Sequence, residues 1–142
     1  MYEYKCVILK IVDGDTVDVD IDLGFNIWMH NERIRFFGID TPESRTSDKA
    51  EKIFGNYAKE YVEKIMPVGS EQILKTVKDE GGKYGRILGD FIIGNNDESL
   101  VEKMIKERVG APYGAGNKLL ISGLHEANRK YLIENKLVEL NS

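Results

Sequence analysis

Residues 12–23 read VDGDTVDVDIDL. Asp13-Gly14-Asp15 is a turn signal between two apolar, β-branched runs, Tyr4 to Val12 before it and Thr16 to Leu23 after it. Asp-Gly between such runs is among the strongest local signs of a β-hairpin. The second run alternates strictly apolar and polar, so one face of that strand is buried and the other carries Asp18, Asp20 and Asp22. Those three are expected on the wet face, as solubility charge.

A third strand is expected from Trp28 to Ile39, ended by Pro42, which cannot donate to a sheet ladder. From Asp48 to Met66 the period changes. Ile53, Phe54, Tyr57, Ala58, Tyr61, Val62 and Ile65 recur at helical spacing, Asp48 and Glu51 have capping-box spacing, and Pro67 and Gly69 close the helix. Strands are predicted at Glu71 to Val77 and Arg86 to Ile93, a helix from Ser99 to about Arg108, a glycine-rich loop GAPYGAGN, and a last packing helix over roughly Gly123 to Lys136. Tyr57, Tyr61 and Tyr131 fall in helical stripes and are expected in the core. Five strands with a helix between the third and fourth is the order of an OB-type Greek-key barrel, an α+β fold that is mainly β barrel with about three helices.

At 142 residues, with 42% hydrophobic and 31% charged residues, the chain suits one well-filled core, read as a single domain over 1–142. Cys6 is the one cysteine, so neither an internal disulfide nor a zinc cluster is indicated, and it is expected to be a small core hydrophobe. No basic leader with an apolar stretch and cleavage site is visible, and no run approaches the roughly 20 apolar residues of a membrane span. A cytoplasmic monomer without membrane contact is the expectation from the chain as written. The net charge of −4 argues against binding nucleic acid through bulk positive charge but permits a local basic site.

The chemistry lies in charges at strand ends. Asp13 and Asp15 flank the hairpin turn, Asp40 and Glu43 follow the third strand in RFFGIDTPE (35–43), and an OB barrel could bring the two together. Four carboxylates in one volume repel unless protons or a cation neutralise them, and oxygen donors without a nearby His or Cys favour Ca²⁺, Mg²⁺ or Mn²⁺ over zinc. Arg35 and Arg86 add planar guanidinium forks suited to phosphate oxygens, so the set describes a phosphoryl-transfer site. Each fragment alone is commoner as a plain turn, helix entry or solvated edge. His30 and His125 lie outside the motifs and are read as surface or packed residues. Tyr84 and Tyr113 sit in glycine-rich loops, where an aromatic ring could stack on a base.

VDGDTV, RFFGIDTPE and KYGR, in that order and at these separations, resemble the staphylococcal nuclease (thermonuclease) family over about Tyr4 to Tyr113. The resemblance implies an OB-fold, Ca²⁺-dependent endonuclease that hydrolyses DNA and RNA and leaves 3′-phosphate ends. By position it implies Ca²⁺ held by Asp15, Asp40 and the Thr41 carbonyl, with Asp13 behind them. Glu43 would act on the attacking water, Arg35 and Arg86 on the phosphate, and Lys83 and Tyr84, with Tyr113, on the substrate. Relatives of this family are often secreted. Three departures stand out: Gly82 replaces an acidic residue, Tyr113 stands without a second nearby tyrosine, and the isoelectric point is about 5.3 where secreted relatives are basic. The rival reading is a non-catalytic OB module that binds nucleic acid or protein. Such modules typically break the acidic and arginine positions, which are intact here.

Overall fold

The computed structural model describes residues 2–77, 87–94, 96–113 and 118–140. The expected hairpin is formed by β1 (Glu3–Asp13) and β2 (Thr16–Asp22), and β3 (Trp28–Phe36) returns along β2. Two-residue β4 (Ile39–Asp40) precedes α1 (Lys49–Ile65), which is followed by β5 (Glu71–Val77), β6 (Ile87–Ile93) and β7 (Glu98–Ser99). The described chain ends with α2 (Leu100–Lys106), β8 (Ala111–Pro112) and α3 (Lys118–Glu134). β1 pairs with β2 on one side and with β5 on the other, and its register shifts between Ile8 and Lys10 and between Ile11 and Asp13 bend it. β6 lies antiparallel to β5 and parallel to β3, with Leu88 opposite Arg35, and this last pairing closes a five-stranded barrel. The architecture is the α+β OB-type barrel with three helices that the element order implied.

Alternation fills the barrel. Val17, Val19 and Ile21 of β2 point inward to meet Ile34 and Phe36 of β3, and Phe36 packs edge-on against Phe91 at 5.6 Å. Ala58, Val62 and Met66 bring α1 onto the same core. Asp48 caps α1, its Oδ1 accepting from the N–H groups of Ala50 and Glu51, while its own N–H donates to Thr46 Oγ1 instead of to Glu51. Cys6 is buried in this core, as expected.

Several expectations are corrected. The third strand breaks at Phe37 and Gly38 (φ 81°), and residues 39–40 leave the barrel to pair with β8, so part of the glycine-rich loop is strand. α3 spans Lys118–Glu134 where about Gly123 to Lys136 was expected, with Leu119 and Leu120 exposed near its start. Tyr131 is 40% exposed and outside the core, its ring under the Arg108 guanidinium at 5.2 Å, whereas Tyr57 and Tyr61 are partly buried against the core. The aspartates of β2 are engaged hydrogen-bond partners. Asp18 is only 8% exposed and takes both Nε and Nη2 of Arg33, its neighbour on β3, at 2.9 and 3.2 Å. That bond, reinforced by the carboxylate's charge, holds the Arg33 pKa above its ordinary value. Asp20 accepts from the Asn31 N–H and Asp22 from the Gly24 N–H, so both stabilise the turn region joining β2 to β3.

Two outcomes follow from this packing. A methyl at Gly55 would lie 2.3 Å from the carbonyl carbon and oxygen of Glu43, whereas one at Gly123 in α3 meets nothing within 4 Å. Gly55→Ala should therefore lose about 1–3 kcal/mol in urea unfolding, and Gly123→Ala should gain up to about 1 kcal/mol from helix propensity. Burial, with a smaller contribution from Glu71, pushes the Cys6 thiol from its ordinary 9.0 up to about 12 against an opposing bond from the Gln72 backbone. Between those values the unfolded chain releases a proton that the folded chain retains, so stability falls as pH rises, by up to about 1.4 kcal/mol per unit from this group. Parallel unfolding curves from pH 8 to 11 should show that slope reduced in Cys6→Ala.

Candidate functional site

The site is assembled on the small-residue face of α1. Gly55 lets the backbone of Glu43 and Ser44 lie directly on the helix, and one turn on, Ala58 meets Gly14 of the hairpin turn, where a methyl would be 2.7 Å from the Ala58 Cβ and 3.0 Å from Thr41 Oγ1. The DGD turn and the segment after β4 are thus seated on one surface and on each other. Asp13 ties them together: its Oδ1 accepts from Gly14 N at 3.0 Å and from Ser44 N at 3.3 Å.

Arg35, at the end of β3, lies between the two. Its Nη1 donates to the carbonyls of Phe36 and Ile39 at 2.7 and 2.9 Å, which clamps the bend between β3 and β4. Its Nη2 is 3.4 Å from Asp15 Oδ2 and 4.0 Å from Asp40 Oδ1. Carboxylates from the hairpin turn and from β4 therefore face one guanidinium nitrogen, and the arginine balances their charge at distances longer than a good hydrogen bond. Asp15 is further held by Thr16, whose hydroxyl donates to Oδ1 at 2.9 Å.

The four expected carboxylates do not form one cluster. Asp13 is turned to backbone N–H groups, Glu43 is exposed with no described residue hydrogen-bonded or ion-paired to its carboxylate, and among the described residues no three His, Cys, Asp or Glu side chains are close enough to hold an ion. Arg35 supplies part of the neutralisation that was expected from protons or a cation. Asp15 and Asp40 still present hard oxygen donors to a shared point, the buried hydroxyl of Thr41 has no hydrogen-bond partner among the described residues, and this donor set fits Ca²⁺ better than zinc.

His125, read from sequence as a surface or packed residue, is mostly packed and makes a contact that reading did not include. Its Nε2 lies 2.9 Å from Asp40 Oδ2, across 85 residues of sequence. Nothing local marks this contact, because it depends on how α3 docks. Tyr113 follows β8, donates its N–H to Gly38 O at 2.9 Å and is 56% exposed. A cleft of about 430 Å³ opens there, between Asp40, Pro42 and Tyr113 on one side and Lys118, His125 and Arg129 of α3 on the other. Lys83, Tyr84 and Arg86 lie outside the described residues, as does Gly82.

The sequence profile described as staphylococcal nuclease homologue matches residues 33–118, more than half of the chain. The chain belongs to the staphylococcal nuclease homologue family. The matched span runs from Arg33 on β3 through Arg35, Asp40 and Glu43 to the start of α3. Within the family, the chain is 29% identical over 101 residues to a thermonuclease of Staphylococcus intermedius, covering 71% of this chain and 55% of that one. It is 27% identical over 95 residues to endonuclease YhcR of Bacillus subtilis, covering 63% of this chain and 7% of the relative. The SPbeta prophage-derived endonuclease YokF of the same organism is 25% identical over 127 residues, 89% of this chain and 37% of YokF. The aligned region is thus about half of the thermonuclease and a small part of YhcR. Among the described residues no helix is long and apolar enough to cross a membrane.

The Asp13 bridge gives a direct check on how this family member assembles its site. Asp13→Ala leaves the Ser44 N–H without its partner and should cost about 1–3 kcal/mol in urea unfolding. Asp13→Asn retains the accepting oxygen and should cost less.

Proposed function

We propose that this protein is a Ca²⁺-dependent endonuclease that hydrolyses phosphodiester bonds of DNA or RNA and leaves 3′-phosphate ends. The observation that carries the reading is the convergence of Asp15 and Asp40 on the Arg35 Nη2, in a chain whose relatives include thermonucleases and endonucleases. Ca²⁺ held by Asp15, Asp40 and the Thr41 carbonyl would supply positive charge to a phosphate oxygen and to the attacking water.

The side chains do the rest. Two of the five guanidinium N–H groups of Arg35 are committed to the Phe36 and Ile39 carbonyls, so its position is set before substrate arrives. The remaining donors face charge that grows on the equatorial oxygens as water adds to phosphorus. Arg86 would add a second positive charge to those oxygens. Glu43, exposed and unengaged by described residues, takes the proton from water as the new P–O bond forms and the P–O5′ bond breaks, and the departing O5′ gains a proton from solvent. Lys83, Tyr84 and Tyr113 would hold the terminal phosphate and a base, the exposed Tyr113 ring by stacking. With a net charge of −4, binding should be weak and salt-sensitive.

Plasmid digestion in Ca²⁺, Mg²⁺ or EDTA, with end-group analysis of the products, tests the reading. Cutting in Ca²⁺ that EDTA abolishes, with 3′-phosphate ends, is expected. Arg35→Ala and Arg86→Ala should each reduce turnover about 10²–10³-fold, and Glu43→Gln about 10²–10⁴-fold, with the fold retained. No cutting under any condition, or full turnover in all three variants, refutes it.

A further inference from the structure

We propose that His125 is a positioning residue for Asp40, which makes α3 part of the site; the inference rests on reading Asp40 as a Ca²⁺ ligand. A carboxylate oxygen only accepts, so the 2.9 Å contact has His125 Nε2–H donating to Asp40 Oδ2. The bond occupies one oxygen and leaves Oδ1, the one 4.0 Å from Arg35 Nη2, on the side shared with Asp15. The terminal torsion of an aspartate is broad, so a partner on its outer oxygen fixes which way the inner oxygen points. Hydrogen bonds of this kind to a ligating carboxylate typically contribute tenfold to a hundredfold in metal affinity.

The position of His125 is set independently of that bond. Asn128, one turn along the same helix face, is buried and donates from Nδ2 to Gly110 O at 3.1 Å. Gly110 packs against Ile39 and the Asp40 carbonyl, where a methyl would lie 3.0 Å from that oxygen. One turn further, Leu132 is buried with Phe54 and Val138. α3 therefore grips the β4–β8 ribbon through Asn128 and presents His125 to the carboxylate that the ribbon carries. The ring is 18% exposed, at the wall of the cleft.

Calorimetric titration with Ca²⁺ of the wild type, His125→Leu and His125→Gln tests this, each variant first shown by circular dichroism to be folded in EDTA. Leucine fills space without a donor, whereas the glutamine amide can still donate to Oδ2. The expected result is a Kd raised about 10–100-fold in His125→Leu and restored to within about threefold in His125→Gln. Unchanged or tighter affinity in His125→Leu, or equal weakening in both variants, overturns the positioning role while the Ca²⁺ reading stands. A wild type that takes up no Ca²⁺ overturns both.

Discussion

Carboxylates from the hairpin turn and from β4 repel where they face one point, and Arg35 places positive charge beside both. The guanidinium does two jobs with separate edges. Nη1 closes on the Phe36 and Ile39 carbonyls and fixes the bend where the chain leaves the barrel, while Nη2 lies toward Asp15 and Asp40. Because the bend and the charge balance depend on one side chain, the location of Asp40 is coupled to that of the hairpin turn. The arrangement is mechanically supported from behind, since Gly55 and Ala58 of α1 let the Glu43–Ser44 backbone and the DGD turn approach within van der Waals contact. Small residues in that helix thus set the spacing of the charged site through the backbone that carries it.

Much of this was legible in the sequence, for identifiable reasons. The DGD hairpin, the alternation of β2, the Asp48 cap and the limits of α1 are local features, encoded by turn chemistry and period, and the structure follows them. The convergence of the hairpin turn with the end of the third strand followed from the barrel order. What could not be read depends on contacts distant in sequence. The break at Gly38 arises because residues 39–40 find a partner in β8, more than seventy positions away. Asp18 looked like wet-face charge because alternation reports which face a residue is on, and only the β2–β3 register shows that Arg33 covers it. His125 carried no motif, and its contact with Asp40 exists only because Asn128 and Leu132 dock α3 where they do.

The same docking changes the meaning of the carboxy-terminal helix. Its apolar pattern suggested packing alone, and Leu132 does pack. Its polar residues, however, bond to the ribbon that presents Asp40, so the helix that looked least informative in sequence borders the cleft beside the site. In physical terms the barrel supplies Asp15 and Arg35, the ribbon supplies Asp40, α3 holds the ribbon, and α1 seats the segment that follows it.

A crystal structure of the protein grown with Ca²⁺, with the ion located by its anomalous scattering, tests the central claim most directly. The account predicts one ion within about 2.3–2.6 Å of an oxygen from each of Asp15 and Asp40. An ion bound elsewhere, or the two acids facing each other with Arg35 and no ion at full Ca²⁺ saturation, would contradict it.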